Sequence, residues 1–192
     1  MPQKNDRRVR KTRSLLRQAL VRLMNEKSIQ EITVTQLCEA CDINRGTFYL
    51  HYTDVYDLLS RIEEEMLTDF ENVLGKLVPE EIVGQQSPSP AMCRLFEFLA
   101  DNADMCKVLL CNNGDMAFVE KVKGIVEARI MNKWSTQFER AGYADKEYVF
   151  AFIVSGCMGM LQYWLENDMP LSPLEMAGMM ESILGRGLTA LQ

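Results

Sequence analysis

ITVTQLCEACDINRGTFYLHYTDVYDLL, residues 32–59, decides the fold, because it contains two short helices together with their start signals. Thr33 and Gln36 have the spacing of a capping box, which opens a helix over VTQLCEAC that ends near Asp42. Asn44 is the next N-cap, and it opens a second brief helix, RGTFYLHY. Two short capped helices joined by three or four residues are typical of a helix-turn-helix.

The second of these helices has two chemically different sides. Phe48 and Tyr52 are four residues apart and share one side. They are expected to pack on apolar positions of the preceding helices, Leu16, Leu20 and Leu37. On the other side, Arg45 offers two hydrogen bonds to a guanine, and Gly46 lets the backbone approach the sugar-phosphate wall. The predicted DNA-reading residues are Thr33, Thr35, Asn44, Arg45, Gly46, Thr47, Tyr49 and His51.

The start of the chain is basic although the chain as a whole is acidic. Residues 1–22 contain eight Lys or Arg and one acid, a formal charge of +7, while the whole chain carries −6. The remaining residues therefore carry −13. A helix is predicted from Arg7 to about Lys27, and Arg8 and Arg10 in its basic arm are predicted to contact DNA phosphates. A solvated tail is the alternative.

Helical patterns continue to the end of the sequence, and no strand pattern competes with them. Asp54 is predicted to cap a helix that runs on through LLSRIEEEMLTDFENVL. The stretch VPEEIVGQQSPSP, residues 78–90, reads as a linker. Further helices are predicted at 91–110, 115–141, 145–167 and 172–190. The sequence predicts an all-α fold, with a helix-turn-helix domain at 1–55 and a larger effector-binding and dimerisation domain at 56–192.

The segment from Tyr148 to Leu165 has no charged residue, so its length invites comparison with a membrane span. It contains polar side chains and belongs to a chain of ordinary soluble composition, which favours a helix covered on several sides by protein. Its small residues would let another backbone approach closely. The predicted dimer interface consists of Ser155, Gly156, Gly159, Tyr163 and Met179.

Composition and motif content argue against several other classes of protein. The 47% apolar and 25% charged residues are those of a soluble globular protein, and the polar start resembles no signal peptide, so a cytoplasmic location without membrane contact is expected. Cys38 and Cys41 have the spacing of half a zinc site but lack a second pair, so reduced core thiols are expected. The single histidine, His51, belongs to no catalytic motif. We therefore expect no enzyme activity, no cofactor and no metal.

Residues 9–60 resemble the helix-turn-helix of the TetR family of transcriptional regulators. The resemblance lies in the threonine that opens the first helix, in Gly-Thr-Phe-Tyr and the aromatic pair after it, and in Leu58-Leu59. More loosely, SGCMGMLQYWLENDMPLSPLEMA resembles the late helices of a branch that includes regulators of dihydroxyacetone kinase genes. One departure is Val55, where the family usually has a phosphate-contacting lysine. That contact would be lost or taken over by the N-terminal arm.

The resemblance implies a homodimer, expected to be a repressor, that binds a double-stranded palindromic operator. It also implies an effector, either a small molecule or a partner protein, for the C-terminal domain. Apolar residues that would suit an effector pocket are Phe96, Leu99, Phe118, Trp134 and Phe152. The plain alternative is that these side chains only fill the core. A rival reading of the whole chain is a protein-interaction module, derived from such a regulator, with weak DNA binding or none.

Overall fold

The computed structural model describes the backbone of residues 3–77, 87–111, 116–140 and 146–189. Side chains are described over the same ranges, except for residues 3–6, 130–140, 146 and 186–189. Within these ranges every regular element is a helix, so the all-α prediction is confirmed. The first elements are α1 (Gln3–Met24), a 3-10 turn (Ile29–Glu31), α2 (Val34–Ala40), α3 (Arg45–Tyr49) and α4 (Val55–Leu74). They are followed by α5 (Pro90–Asp101), α6 (Ala103–Leu110), α7 (Met116–Arg140), α8 (Lys146–Glu166) and α9 (Pro173–Thr189).

The chain divides into two compact units, Met1–Met66 and Leu67–Gln192. Helix α4 continues through the boundary between them without a break. The first unit therefore includes about three turns of α4. The division expected from the sequence, after residue 55, assigned all of α4 except its first residue to the larger domain.

The first unit has a core to which each of its α-helices contributes. Leu16 and Leu20 on α1, Leu37 on α2 and Phe48 on α3 are fully buried, and Leu58 on α4 is nearly so. The ring of Phe48 also lies 5.6 Å from that of Tyr52, measured between centroids. Burying a leucine or phenylalanine side chain contributes about 1.5–3 kcal/mol, so this core holds the short α2 and α3 in place.

Helix α2 begins and ends where local hydrogen bonds dictate. The capping box is present: Gln36 N donates to Thr33 Oγ1 at 3.2 Å, and Thr33 N donates to Gln36 Oε1 at 3.0 Å. At the other end, Arg22 of α1 donates from Nη2 to the Ala40 carbonyl at 2.9 Å. This bond satisfies one of the carbonyls that a helix leaves without an intrahelical partner.

The turn between α2 and α3 has a non-glycine residue in the left-handed region. Asp42 has φ of 53°, and its N–H donates to the Glu39 carbonyl at 3.4 Å. Ile43 N donates to the Cys38 carbonyl at 3.0 Å. These two bonds form a Schellman motif, in which glycine is the usual residue at the left-handed position. Asp42 fixes the angle of the helix-turn-helix at a small conformational cost.

The second unit packs α5 against α9, and packs both α6 and α7 against α8. Helices α7, α8 and α9 agree closely with the predicted segments 115–141, 145–167 and 172–190. The predicted segment 91–110 is wrong as a single helix, because Asn102 divides it into α5 and α6. The side chain of Asn102 donates from Nδ2 to the Phe98 carbonyl at 2.8 Å, and its backbone leaves the helical region.

A buried polar contact joins the start of α5 to α9. Ser89, the N-cap of α5, is fully buried, and its Oγ accepts from Met92 N at 3.2 Å. Its backbone N–H and its hydroxyl donate to the Glu181 carboxylate at 2.9 Å and 2.5 Å. Glu181 is 6% exposed, so its charge is stabilised by these donors more than by water. Residues 78–86 of the predicted linker at 78–90 lie outside the described residues.

Candidate nucleic-acid interface

The exposed side of the helix-turn-helix contains the predicted DNA-reading residues. Phe48 and Tyr52 are buried, as expected for the side that packs inward. The outward residues that are exposed are Thr33, Thr35, Asn44, Arg45, Gly46 and Tyr49, while Thr47 and His51 are half-buried. The structure therefore brings residues of α2 and α3 together on one accessible surface, which we call the reading surface.

Arg45 and Thr35 connect the two helices across this surface. Arg45 Nη1 donates to Thr35 Oγ1 at 3.3 Å, between side chains that are both exposed. Arginine has five N–H donors, so this bond leaves others for an acceptor such as guanine O6 and N7. Holding the guanidinium from one side reduces the conformational entropy that binding would cost.

Three of the predicted readers already have a structural role. Thr33 caps α2, and Asn44 caps α3 by accepting from Gly46 N at 2.7 Å. A Cβ added at Gly46 would lie 3.1 Å from Asn44 Oδ1, tighter than most contacts of a real Cβ. The Asn44 cap therefore leaves little room for a Cβ at this position. DNA contacts by Thr33, Asn44 and Gly46 stay predictions.

A network behind α3 holds the turn that leads into α4. Asp57 Oδ2 accepts from Thr53 N at 2.8 Å, and Asp57 Oδ1 accepts from Arg61 Nε at 2.9 Å. The Arg61 guanidinium lies 5.5 Å from the centroid of the Tyr52 ring, within the range of a cation–π contact. The hydrogen bond from Arg61, followed by that from Thr53, lowers the pKa of the Asp57 carboxyl.

The start of α4 explains the departure seen in the sequence. Asp54 caps α4 as predicted, since its Oδ1 accepts from Asp57 N at 2.8 Å. Val55 is only 3% exposed, so it is part of the core. The neighbouring Tyr56 is 52% exposed. A phosphate contact from this turn would need another group, such as Tyr56 or Thr53, because Val55 has neither charge nor access.

Sequence reasoning missed two exposed residues on or beside the reading surface, Leu50 and Tyr56. Within the described part of the first unit, the exposed large apolar side chains are Tyr49, Leu50 and Tyr56. The helical period was the available signal for Leu50, because it follows Phe48 and precedes Tyr52 by two residues each. That spacing puts Leu50 on the opposite side of the helix.

The basic arm is helical in the structure. Helix α1 begins at Gln3, before the predicted start at Arg7. Arg8 and Arg10 are exposed, as are Arg7 and Lys11. The contact of this segment with phosphates stays a prediction, but the positions of its charges are now set by α1.

The second unit has exposed apolar side chains on α8 and α9. Tyr148, Phe152 and Tyr163 on α8 are 78%, 80% and 70% exposed. On α9, Leu174 and Ile183 are each more than half exposed. The predicted dimer residues are all exposed too: Ser155, Gly156, Gly159, Tyr163 and Met179. A Cβ added at either glycine would have no neighbour within 4 Å. We call this surface the α8–α9 apolar face.

Helix α8 is also long and apolar enough, over Glu147–Glu166, to cross a membrane by length and composition alone. One third of that window is buried within the chain. The buried side includes Val154, Leu161 and Leu165, which pack into the core of the second unit. A helix that packs on its own domain along one side suits a protein partner along the other.

The five predicted pocket residues do not form one group. Phe96, Leu99 and Phe118 are buried, and the Phe96 ring meets that of Trp164 edge to face at 5.5 Å. The side chain of Trp134 lies outside the described residues. Phe152 points outward and belongs to the α8–α9 apolar face, so its assignment to an internal pocket is corrected. The remaining three stay candidates for a pocket.

The cysteines are free thiols in the structure. Cys41 Sγ donates to the Leu37 carbonyl at 3.1 Å, which uses the proton that a metal site would displace. Burial raises the pKa of Cys38 and Cys41, and it raises that of Cys111 and Cys157 to about 11. Thiols with a raised pKa are poor nucleophiles and poor ligands at neutral pH.

Comparison with known proteins gives one family match and several related folds. The family TetR_C_8, described as "Transcriptional regulator C-terminal region", matches residues 86–186, more than half of the chain. The uncharacterized HTH-type transcriptional regulator YxbF of Bacillus subtilis (strain 168) is 31% identical over 61 residues. That match covers 32% of this chain and only 15% of YxbF.

Two solved structures have the same fold along nearly the whole chain. A TetR transcriptional regulator from Streptococcus agalactiae 2603V is 20% identical, with a TM-score of 0.60, and the match covers 100% of this chain and 99% of that one. The dihydroxyacetone kinase operon activator DhaS is 16% identical, with a TM-score of 0.57, and the match covers 93% and 97%. At these identities the likeness concerns the fold.

Proposed function

Because the chain belongs to the TetR family of transcriptional regulators, we propose that it is a homodimeric repressor that binds a palindromic operator through residues 44–52. It works in the cytoplasm on double-stranded DNA. An effector bound by the second unit controls its affinity for the operator. The reading surface, the α8–α9 apolar face and the continuous helix α4 support the three parts of this proposal.

The observation that carries DNA reading is the two-sided construction of α3. One side is fixed in the core by Phe48, which is fully buried. The other presents Arg45, already held by Thr35 at 3.3 Å, together with the exposed Tyr49. A recognition helix needs both properties, because its polar side chains must be presented to base edges from a rigid support.

The α8–α9 apolar face supports dimerisation. Single exposed apolar residues are common on soluble proteins, but Tyr148, Phe152 and Tyr163 are three exposed aromatic side chains on one side of α8. A two-fold axis covers such a patch with its own copy. The same axis would present two copies of α3 to one face of the DNA, about 34–36 Å apart.

Effector control uses the second unit and α4. Phe96, Leu99 and Phe118 are buried apolar side chains of the second unit, and the Phe96 ring contacts that of Trp164. A small apolar molecule that enters among them, or a partner protein that docks on this unit, would act on α4, which both units share. Coupling of about 1–3 kcal/mol between effector and operator is typical.

A protein-interaction module with little DNA binding is the second candidate, and the burial of Val55 favours it. The family's usual lysine at this position is replaced by a side chain that is 3% exposed. The exposed arginines of α1 argue the other way, because Arg8 and Arg10 offer phosphate contacts elsewhere.

The test is selection of genomic DNA fragments by the purified protein, followed by titration of the enriched sequence. Wild type should select a palindrome and bind it with strong salt dependence. Arg45→Ala should lose about 1–3 kcal/mol and accept other bases at one position of each half-site. Lys76→Ala is the matched control, since it removes an exposed positive charge from the second unit.

Two results would count against the proposal. Equal operator affinity for wild type and Arg45→Ala would remove α3 as the reader. If wild type enriches no fragment at all, the interaction module becomes the better description. Fusing the operator to a reporter gene tests the sign of regulation, because deletion of a repressor raises transcription.

A further inference from the structure

Leu50 is the most exposed of the large apolar side chains in the described part of the first unit. It is 79% exposed, against 58% for Tyr49 and 52% for Tyr56. A single exposed leucine is ordinary on a protein surface and carries no conclusion by itself. The position of this leucine on the reading surface is what calls for an explanation.

Leu50 follows the last residue of α3 and lies on the side of the helix that faces away from the core. Leu50 N donates to the Gly46 carbonyl at 3.3 Å, and Tyr52 N donates to that of Phe48 at 3.0 Å, so helical geometry continues past Tyr49. At 100° per residue, Leu50 then lies about opposite the buried pair Phe48 and Tyr52. Its side chain therefore points away from the core of the first unit.

Gly46 leaves the Leu50 side chain uncovered. Side chains on a helix lean toward its N-terminus, over the residue four positions earlier. For Leu50 that residue is Gly46, which is exposed and has no side chain. The isobutyl group thus lies over the open place at Gly46, next to the side of the helix that presents Arg45 and Tyr49.

We propose that Leu50 is a specificity-determining residue that contacts the 5-methyl group of a thymine in the major groove. This rests on the proposed DNA binding and deepens it. The thymine methyl is the apolar group that base pairs present in this groove, next to donors and acceptors. The side chains of Arg45 and Tyr49 can hydrogen-bond to the polar edges of the bases, and the isobutyl group of Leu50 can contact the methyl group of the thymine.

The expected size of the effect follows from one buried methyl group. Removing it from the interface should weaken binding about four-fold, the change that corresponds to ~0.8 kcal/mol. A palindrome presents the contact twice, so replacing both thymines should weaken binding about 15-fold if the half-sites act independently. The effect should depend on the methyl group and not on base pairing.

The experiment replaces thymine by deoxyuridine, one position at a time, in the operator that wild type selects. Deoxyuridine keeps every hydrogen bond of thymine and lacks only the methyl group. Wild type should lose about four-fold in affinity at one position of each half-site. Both subunits of the dimer carry the change, so Leu50→Ala should bind the thymine operator about as weakly as wild type binds the operator substituted in both half-sites, about 15-fold. It should be insensitive to the substitution.

Met116→Ala is the matched control, because Met116 is a 72% exposed apolar residue of the second unit. It should keep the full response to deoxyuridine. Circular dichroism should show wild-type helix content for Leu50→Ala, since the side chain is outside the core. Selection with Leu50→Ala should yield a site relaxed at the same position.

Three results would overturn the inference. It fails if deoxyuridine has no effect at any position for wild type, or if Leu50→Ala responds to the substitution as strongly as wild type does. Either result, with Arg45→Ala still impaired, leaves the proposed function standing. If wild type selects no duplex at all, both the proposed function and this inference fail.

Discussion

Replacing Ser89 by alanine should destabilise the second unit far more than an exposed serine cap would. Ser89 is fully buried, and its hydroxyl does two things. It donates to Glu181 Oε1 at 2.5 Å and accepts from Met92 N at 3.2 Å. The substitution removes both bonds and leaves the contact between Ser89 N and the Glu181 carboxylate.

The magnitude follows from these two bonds. A hydrogen bond to a charged group contributes about 1.5–3 kcal/mol, and loss of an N-cap costs about 1 kcal/mol. Since the remaining backbone N–H still neutralises part of the buried charge, we expect a loss of about 2–4 kcal/mol. For a chain of this size, each kcal/mol lowers the Tm by about 2–4 °C.

The chain contains an exposed counterpart that serves as the control. Ser172 N and Oγ each donate to Glu175 Oε2 at 2.7 Å, and Ser172 Oγ accepts from Glu175 N at 3.3 Å. The groups are the same as at Ser89, but these residues are exposed. Water replaces their hydrogen bonds when one partner is removed, so Ser172→Ala should cost less than half as much.

The assay is urea unfolding followed by circular dichroism, at one protein concentration because dimerisation also stabilises the fold. The unfolding free energies of wild type, Ser89→Ala and Ser172→Ala are compared. Equal losses for the two variants would show that burial of the Ser89–Glu181 contact does not matter. A loss below about 1 kcal/mol for Ser89→Ala would refute the energetic reasoning itself.

Three further predictions concern the turn, the dimer and pH. Asp42→Gly should raise the unfolding free energy by about 0.5 kcal/mol, because glycine accepts φ of 53° with less strain; an unchanged denaturation midpoint would argue against this. Gly159→Leu should convert the dimer into 22.0 kDa monomers with intact helices, and light scattering that still finds dimers would disprove the interface. Hydrogen bonding from Arg61 lowers the pKa of Asp57 in the folded protein. The ionised carboxylate therefore stabilises the fold at neutral pH, and this contribution disappears as the pH falls from about 4 through the lowered pKa. The stability difference between wild type and Asp57→Asn should accordingly shrink in acid, and a difference independent of pH would contradict the assignment.

Local signals made much of the first unit predictable. The capping box of Thr33 and Gln36 and the cap by Asn44 involve residues two or three positions apart, so their hydrogen bonds depend on nearby chain alone. The helical period likewise identified Phe48 and Tyr52 as the inner side of α3. The break at Asn102 was missed because an asparagine inside an apolar helical pattern can either continue the helix or end it. Here its side chain donates to the Phe98 carbonyl and the helix ends.

Contacts between distant residues were not accessible in the same way. Ser89 and Glu181 are 92 residues apart, and the sequence of neither segment indicates that the two residues are in contact. Phe152 was assigned to a pocket because it is aromatic and lies in an apolar helix, yet it is 80% exposed. A helix that is apolar on every side has no period to show which side faces inward.

The amino-acid sequence by itself determined the helix-turn-helix, the all-α class and the inner side of α3, because caps and periodicity act within one or two turns. Only the tertiary structure decided that Val55 is buried, that Leu50 stands uncovered, and that α8 and α9 leave an apolar face exposed. The physical reason is that burial depends on what packs against a residue. That neighbour usually comes from a distant part of the chain or, for the α8–α9 apolar face, by our proposal, from a second copy.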